Sequence, residues 1–213
     1  MVFQVICFDF EAADRHGLLI MAFAGAVFEF PTGRLLGSIE RRNICTSYHY
    51  DKPTRAFWDG QPGAHQYIFA PGCGSSLQEA YGSLAAWVEQ AMAAYPRAQV
   101  VSDNPAFDIA AVNRILMMSD RPPVQFHPAA PGADRAEGSY VPVLCVNTFE
   151  RTVRAVVGAE DLAKAAARFR CAPPDALVRA GACRHTPLFD CHHMMQRYGR
   201  AIMALRTRGN VTF

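Results

Sequence analysis

The chain contains no CxxC pair, although it has seven cysteines, at positions 7, 45, 73, 145, 171, 183 and 191. An odd number at scattered spacings does not imply a disulfide framework and points to a reducing, intracellular setting, expected to be cytoplasmic. No uninterrupted apolar run is long enough to cross a bilayer, so no membrane partner is expected. The first residues lack a basic segment and the opening apolar run is broken by Asp9, so no secretory leader is expected. A strong charge bias is also absent, the net charge being +2. No internal repeat of domain size is evident.

What is present is an ordinary globular composition, 51% hydrophobic and 19% charged, over 213 residues. That length suits one domain over 1–213 with a sizeable core, elaborated by loops at about 47–76 and 120–142. Charge is unevenly spread: residues 1–150 carry 10 basic and 15 acidic side chains, whereas 151–213 carry 11 and 4. A locally basic C-terminal third suits a surface that meets phosphates, with Arg197, Arg200, Arg206 and Arg208 as the steering cations, or simply a solvated helix face.

Val2 to Phe10 is rich in β-branched and aromatic residues and reads as a strand buried on both faces. Alternation puts Asp9 and Glu11 on one side of it and Phe8 and Phe10 on the other. Two carboxylates held that close must share a cation or a proton, unless the strand simply ends there in water. The run Leu18 to Phe30, the turn Pro31-Thr32-Gly33 and the mixed stretch Arg34 to Thr46 extend the first strand into a three-strand antiparallel meander. Tyr48 to Ser76 reads as an elaborated loop with short helical pieces, whose aromatics either stack on bases or pack the loop onto the body.

A helix capped by Ser75 or Ser76 follows over Leu77 to Tyr95, then a strand at Gln99 to Ser102 that crossover logic makes parallel to the first. Pro122 to Pro142 is a Pro/Gly/Ala-rich loop containing a short strand at Val124 to His127, and Val143 to Val146 is a further strand. The remainder reads as helices at Thr148 to Val157, Glu160 to Phe169, Ala176 to Ala180 and from Thr186 onward. The fold class is therefore α/β, a mixed sheet with helices on both faces.

Two helix starts match closely, Asn104-Pro105-Ala106-Phe107-Asp108 and Thr186-Pro187-Leu188-Phe189-Asp190. Asn104 and Thr186 stand at the N-cap and proline at the first helical position, so each aspartate lies one turn in, near a positive helix end that favours the ionised carboxylate. Helices start where parallel strands end, which brings Asp108 toward Asp9 and Glu11. Four converging carboxylates suit Mg²⁺ or Mn²⁺ rather than zinc. His185, just ahead of the last helix, is placed to serve as a general base. Cys183, His185, Cys191, His192 and His193 invite a zinc reading, but Cys191 to His193 face different ways on one helix.

These three ordered motifs, together with His185 standing four intervening residues before Asp190, resemble the DEDDh branch of the DnaQ-like 3′-to-5′ exonucleases, over roughly residues 3 to 205. The resemblance implies a ribonuclease H-like fold and hydrolysis of single-stranded DNA or RNA from the 3′ end, releasing nucleoside 5′-monophosphates. It implies two divalent cations, bridged by Asp9, with Glu11 and Asp190 completing the first site and Asp108 holding the second through water. His185 would deprotonate the attacking water. Ala12, Asn104 and Phe107 match substrate-contacting positions, although Ala12-Ala13-Asp14 replaces the family's usual Thr-Thr-Gly and puts its hydroxyl contacts in doubt. Some relatives pair to complete a binding surface, so a homodimer is compatible with the resemblance. The competing readings are a catalytically inactive nucleic-acid-binding or scaffold module of this fold, and a ribonuclease H-like endonuclease.

Overall fold

The computed structural model describes residues 2–14, 16–17, 19–44, 50–121, 123 and 143–207. The expected strand at 124–127, most of the loop at 120–142, the end of the third strand near Thr46, and Arg208 lie outside the described residues.

β1 (Phe3–Ala12), β2 (Ile20–Phe30) and β3 (Arg34–Arg41) form the antiparallel meander, and β4 (Gln99–Ser102) and β5 (Val143–Cys145) add parallel to it. The sheet order is β3-β2-β1-β4-β5, so β1 is central, antiparallel to β2 and parallel to β4. The ribonuclease H-like mixed sheet expected from the sequence is thus the fold. β1 runs two residues past Phe10 rather than ending at the carboxylates, because Asp9 and Glu11 still pair in register with Ala24 and Ala22 of β2. The β2–β3 turn needs glycine at its end: Gly33 has φ +71°, and a Cβ there would lie 2.7 Å from the Arg170 carbonyl.

The helices are α1 (Lys52–Asp59), α2 (Pro62–Ile68), α3 (Leu77–Ala94), α4 (Pro105–Met118), α5 (Val146–Val157), α6 (Ala159–Arg168), α7 (Asp175–Arg179) and α8 (Pro187–Thr207). Strand alternation sorts their packing. Ile6, Phe8 and Phe10 of β1 point into a core with Leu84 and Val88 of α3 and Val112 and Ile115 of α4. Val5 and Cys7 point the other way, against Met194, Met195 and Tyr198 of α8. Each large side chain buried in these cores stabilises the fold by about 1.5–3 kcal/mol before entropy is counted. A smaller cluster, in which Trp58, Ala64 and Ile68 meet Ala13 and Met21, seats α1 and α2 beside the C-terminal end of β1.

α3 begins with a full capping box: the Ser76 hydroxyl accepts from the Glu79 N–H and the Glu79 carboxylate accepts from the Ser76 N–H. The other two expected caps differ from expectation. Asn104 occupies the N-cap of α4 but makes no side-chain capping bond. The Thr186 hydroxyl is spent on the preceding turn, donating to the Cys183 carbonyl at 2.7 Å.

Candidate metal centre and active-site cleft

The parallel register places the carboxylates. Val5 and Cys7 align with Gln99 and Val101, so the chain leaves β4 level with Asp9 and turns at Asp103-Asn104 into α4. Asp108, one turn into α4, is buried, and its carboxylate accepts from the Ser102 hydroxyl, which itself accepts the Asn104 N–H at 3.0 Å. From the opposite face of the sheet, the first turn of α8 brings in Asp190. Its Oδ2 accepts the His185 N–H at 2.8 Å, a bond that holds His185 in the left-handed conformation, φ +64°. A non-glycine residue there is strained and persists because its surroundings hold it.

The result is one open cleft of about 420 Å³ lined by Asp9, Glu11, Asp103, Asp108, Asp190 and His185 among others. Ligand atoms of Glu11, His185 and Asp190 lie within 4.8 Å of one another. Ala12, Asn104 and Phe107 line the same cleft. The Ala12 carbonyl is already taken by the Trp58 indole N–H at 3.1 Å, and the Phe107 ring closes on Gly17, where a Cβ would lie 2.5 Å from it.

Electrostatically the cleft is dominated by carboxylates, with Arg184 its one arginine or lysine among the described residues. Burial raises the Asp9 carboxyl well above the usual range, with repulsion from Glu11, Asp108, Asp190 and Asp103 adding to it. Burial likewise raises Glu11, and pushes Asp108 up to about 8 and Asp190 to about 6. Two buried oxygens aimed into the cluster, Asp9 Oδ2 and Asp190 Oδ1, have no hydrogen-bond partner. Carboxylates converging from β1, α4 and α8, two of them with such oxygens, are the donor set of a hard divalent cation, so these residues fit such an ion. His185 is shifted the other way: burial and then the nearby Arg184 lower its pKa, against an opposing effect of Asp103. Its imidazole is therefore neutral and able to accept a proton near pH 7.

Sequence reasoning missed two contributors and named a third, Phe57, only as one of the aromatics of the 48–76 region. Asp103 adds a carboxylate to the cleft, and its backbone carbonyl is anchored by Asn147 Nδ2 at 2.8 Å. Arg184 lines the rim, with Nη1 3.2 Å from Asp190 Oδ1. Phe57, on the exposed side of α1, stands edge-on to the His185 ring with centroids 5.0 Å apart. Adjacency to the recognised motifs at Asn104 and His185 was the available signal for the first two.

Other side chains are used elsewhere. Arg197 is bound to Glu150 and Asn147, and Arg206 sits over the Phe30 ring. Neither lines the cleft. Nor do Cys191, buried against β1 and β2, and His192, whose ring packs edge-on to Phe28 with Nδ1 3.7 Å from Cys171 Sγ. Of the aromatics of the 48–76 region, Trp58 and Tyr67 are buried against the body, and Phe57 and Trp58 line the cleft.

No protein-family model and no curated protein matches the sequence. Solved structures do. The metal-free complex of Escherichia coli exonuclease I with single-stranded DNA superposes with a TM-score of 0.50 at 14% identity, over 97% of this chain and 40% of that one. The zinc-bound form of the same complex gives 0.49 at 12% identity, over 97% and 41%. The chain shares an exonuclease I fold. It spans about two fifths of the length of those structures.

Proposed function

We propose that this protein is a metal-dependent 3′-to-5′ exonuclease of the DEDDh type, acting on single-stranded DNA or RNA and releasing nucleoside 5′-monophosphates. The observation that carries this reading is the convergence of Asp9, Glu11, Asp108 and Asp190, two of them with orphaned oxygens, beside a neutral His185 in one cleft. The shared fold supports it, as does the single-stranded DNA bound by Escherichia coli exonuclease I. The residues form one exonuclease domain in this reading, working inside the cell; among the described residues no helix is long and apolar enough to cross a membrane.

Asp9, Glu11 and Asp190 would hold one Mg²⁺ or Mn²⁺, and Asp9 and Asp108 would serve a second. Bound there, such ions neutralise charge on the phosphoryl group and acidify a water molecule. His185 takes the proton of the attacking water. The water oxygen forms the new bond to phosphorus, and the bond to the 3′-oxygen of the penultimate nucleotide breaks, the leaving oxygen taking a proton from solvent. Asp190 keeps the His185 backbone in place through its 2.8 Å bond, so the imidazole is oriented before substrate arrives. Asn104 and Phe107 contact the terminal nucleotide, and Phe57 offers an aromatic edge at the mouth.

The test uses strands labelled at the 5′ end, in Mg²⁺ or Mn²⁺. A ladder shortening from the 3′ end, absent with Asp9→Ala, is expected. No cleavage would leave an inactive module of the fold, and internal cuts would mark an endonuclease.

A further inference from the structure

Arg184 is the one arginine or lysine among the described residues that lines a cleft carrying six acidic side chains, Asp9, Glu11, Asp14, Asp103, Asp108 and Asp190. Its side chain is 47% exposed, while that of its partner Asp190 is 7% exposed. The contact is within ion-pair distance at 3.2 Å, yet Asp190 Oδ1 accepts no directed hydrogen bond from it. Compare the arginines with structural duties. Arg197 donates through Nε and Nη2 to Glu150 and Asn147, and Arg42 lies 3.9 Å from the Tyr67 ring centroid and donates to the Tyr67 carbonyl. Arg184 has no such anchorage. It is a half-exposed cation leaning on a carboxylate whose other oxygen is already satisfied by the His185 N–H.

We propose that Arg184 is a phosphate-binding residue of this cleft: with the metal site empty it shields Asp190, and with the site filled it turns to a non-bridging phosphate oxygen of the bound strand. The inference rests on the nuclease reading above. A cation in the cluster takes over the charge balance of Asp190, which removes the reason for Arg184 to stay. Meanwhile a polyanion entering a cleft of six carboxylates needs a donor at its rim, and a guanidinium forks naturally onto phosphate oxygens.

The test compares the full chain with Arg184→Gln and Arg184→Lys. Mn²⁺ is titrated calorimetrically into strand-free protein, and a fluorescent oligothymidylate is titrated in Ca²⁺ across a salt series, with recovery of intact strand as a control. Loss of a competing positive charge should make Arg184→Gln bind Mn²⁺ severalfold tighter than wild type. Its strand affinity should fall roughly three- to tenfold, with a slope of log affinity against log salt shallower by about 0.7, the value for one phosphate contact on a single strand. Arg184→Lys should keep the slope and recover part of the affinity. Unchanged strand affinity and slope in Arg184→Gln would overturn the proposal. So would a parallel loss of Mn²⁺ and strand binding with the slope unchanged, which marks a merely structural pillar. If wild type itself binds no strand, the nuclease reading falls first.

Discussion

Glu40 Oε1 accepts the backbone N–H of Leu188 at 3.2 Å, across 148 residues of chain. Leu188 is the second residue of α8, so a β3 side chain supplies the cap that Thr186 does not. Glu40 Oε2 accepts the Tyr67 hydroxyl at 2.7 Å, and Arg42 lies beside it with Nε at 3.7 Å. The helix start that carries Asp190 is thereby fastened to the sheet and to α2.

Glu40→Ala orphans the Leu188 amide and the Tyr67 hydroxyl together, which costs about 1–3 kcal/mol for each fully buried group. Tyr67→Phe removes one bond and should cost about 0.5–1.5 kcal/mol. Denaturant titration reads both. Cleavage should slow in Glu40→Ala by on the order of ten- to a hundredfold, because Asp190 and His185 ride on the displaced turn. Equal stability of the two variants would show that Glu40 does not cap α8.

Such a contact was not legible in the sequence, and the reason is general to this chain. Periodicity and proline position located β4, α3, α4 and α8 because those signals are local, and the matched starts at Asp108 and Asp190 followed from them. The cleft's second layer depends on which distant segments meet. Trp58 reaches Ala12 across 46 residues, and Arg197 reaches Glu150 across 47. In the sequence Arg197 reads as a steering cation or as part of a solvated helix face, and its partners Glu150 and Asn147 lie far from it along the chain. The length of β1 was misjudged for a related reason: small Ala22 and Ala24 opposite the carboxylates let pairing continue, and that register is a property of two strands.

Without metal, the acidic cluster should make stability fall as pH rises. The folded pKa values of Asp190 and Asp108, about 6 and about 8, are raised mainly by burial. A raised acid pKa means the folded state binds more protons than the unfolded one. That stability is fully present below the unfolded carboxylate value of about 4 and is lost as pH climbs through 6 and then 8. In chelator, the melting temperature at pH 8.5 should lie on the order of 5 °C below that at pH 5.5. Saturating Mg²⁺ should flatten the profile; an identical slope with and without metal would contradict a shared cation site.

Asp9→Asn separates stability from activity. Asp9 is repelled by Glu11, Asp108, Asp190 and Asp103, so removing its charge relieves the whole cluster. The metal-free variant should melt higher than wild type at pH 8, while cleavage falls by roughly three orders of magnitude or more, the scale on which transition-state charge stabilisation operates. Glu11→Gln should lose less Mn²⁺ affinity than Asp9→Asn, since Asp9 faces both proposed ions. Equal losses in a metal titration would refute that division of labour.

A packing prediction tests the layer beneath the site. Gly25, mid-strand in β2, faces Trp87 of α3, and a Cβ there would lie 2.5 Å from the indole Cζ3. Trp87 also meets Phe8 edge-on with centroids 6.0 Å apart, so it has little room to retreat toward β1. Gly25→Ala should therefore cost about 1–3 kcal/mol as overpacking. Trp87→Leu vacates the space at its own cost. In a double-mutant cycle the pair should be less destabilised than the sum of the singles by about 0.5–3 kcal/mol, because the alanine then fills the gap the leucine leaves. Strict additivity would mean that the glycine answers to the strand's backbone rather than to the indole above it.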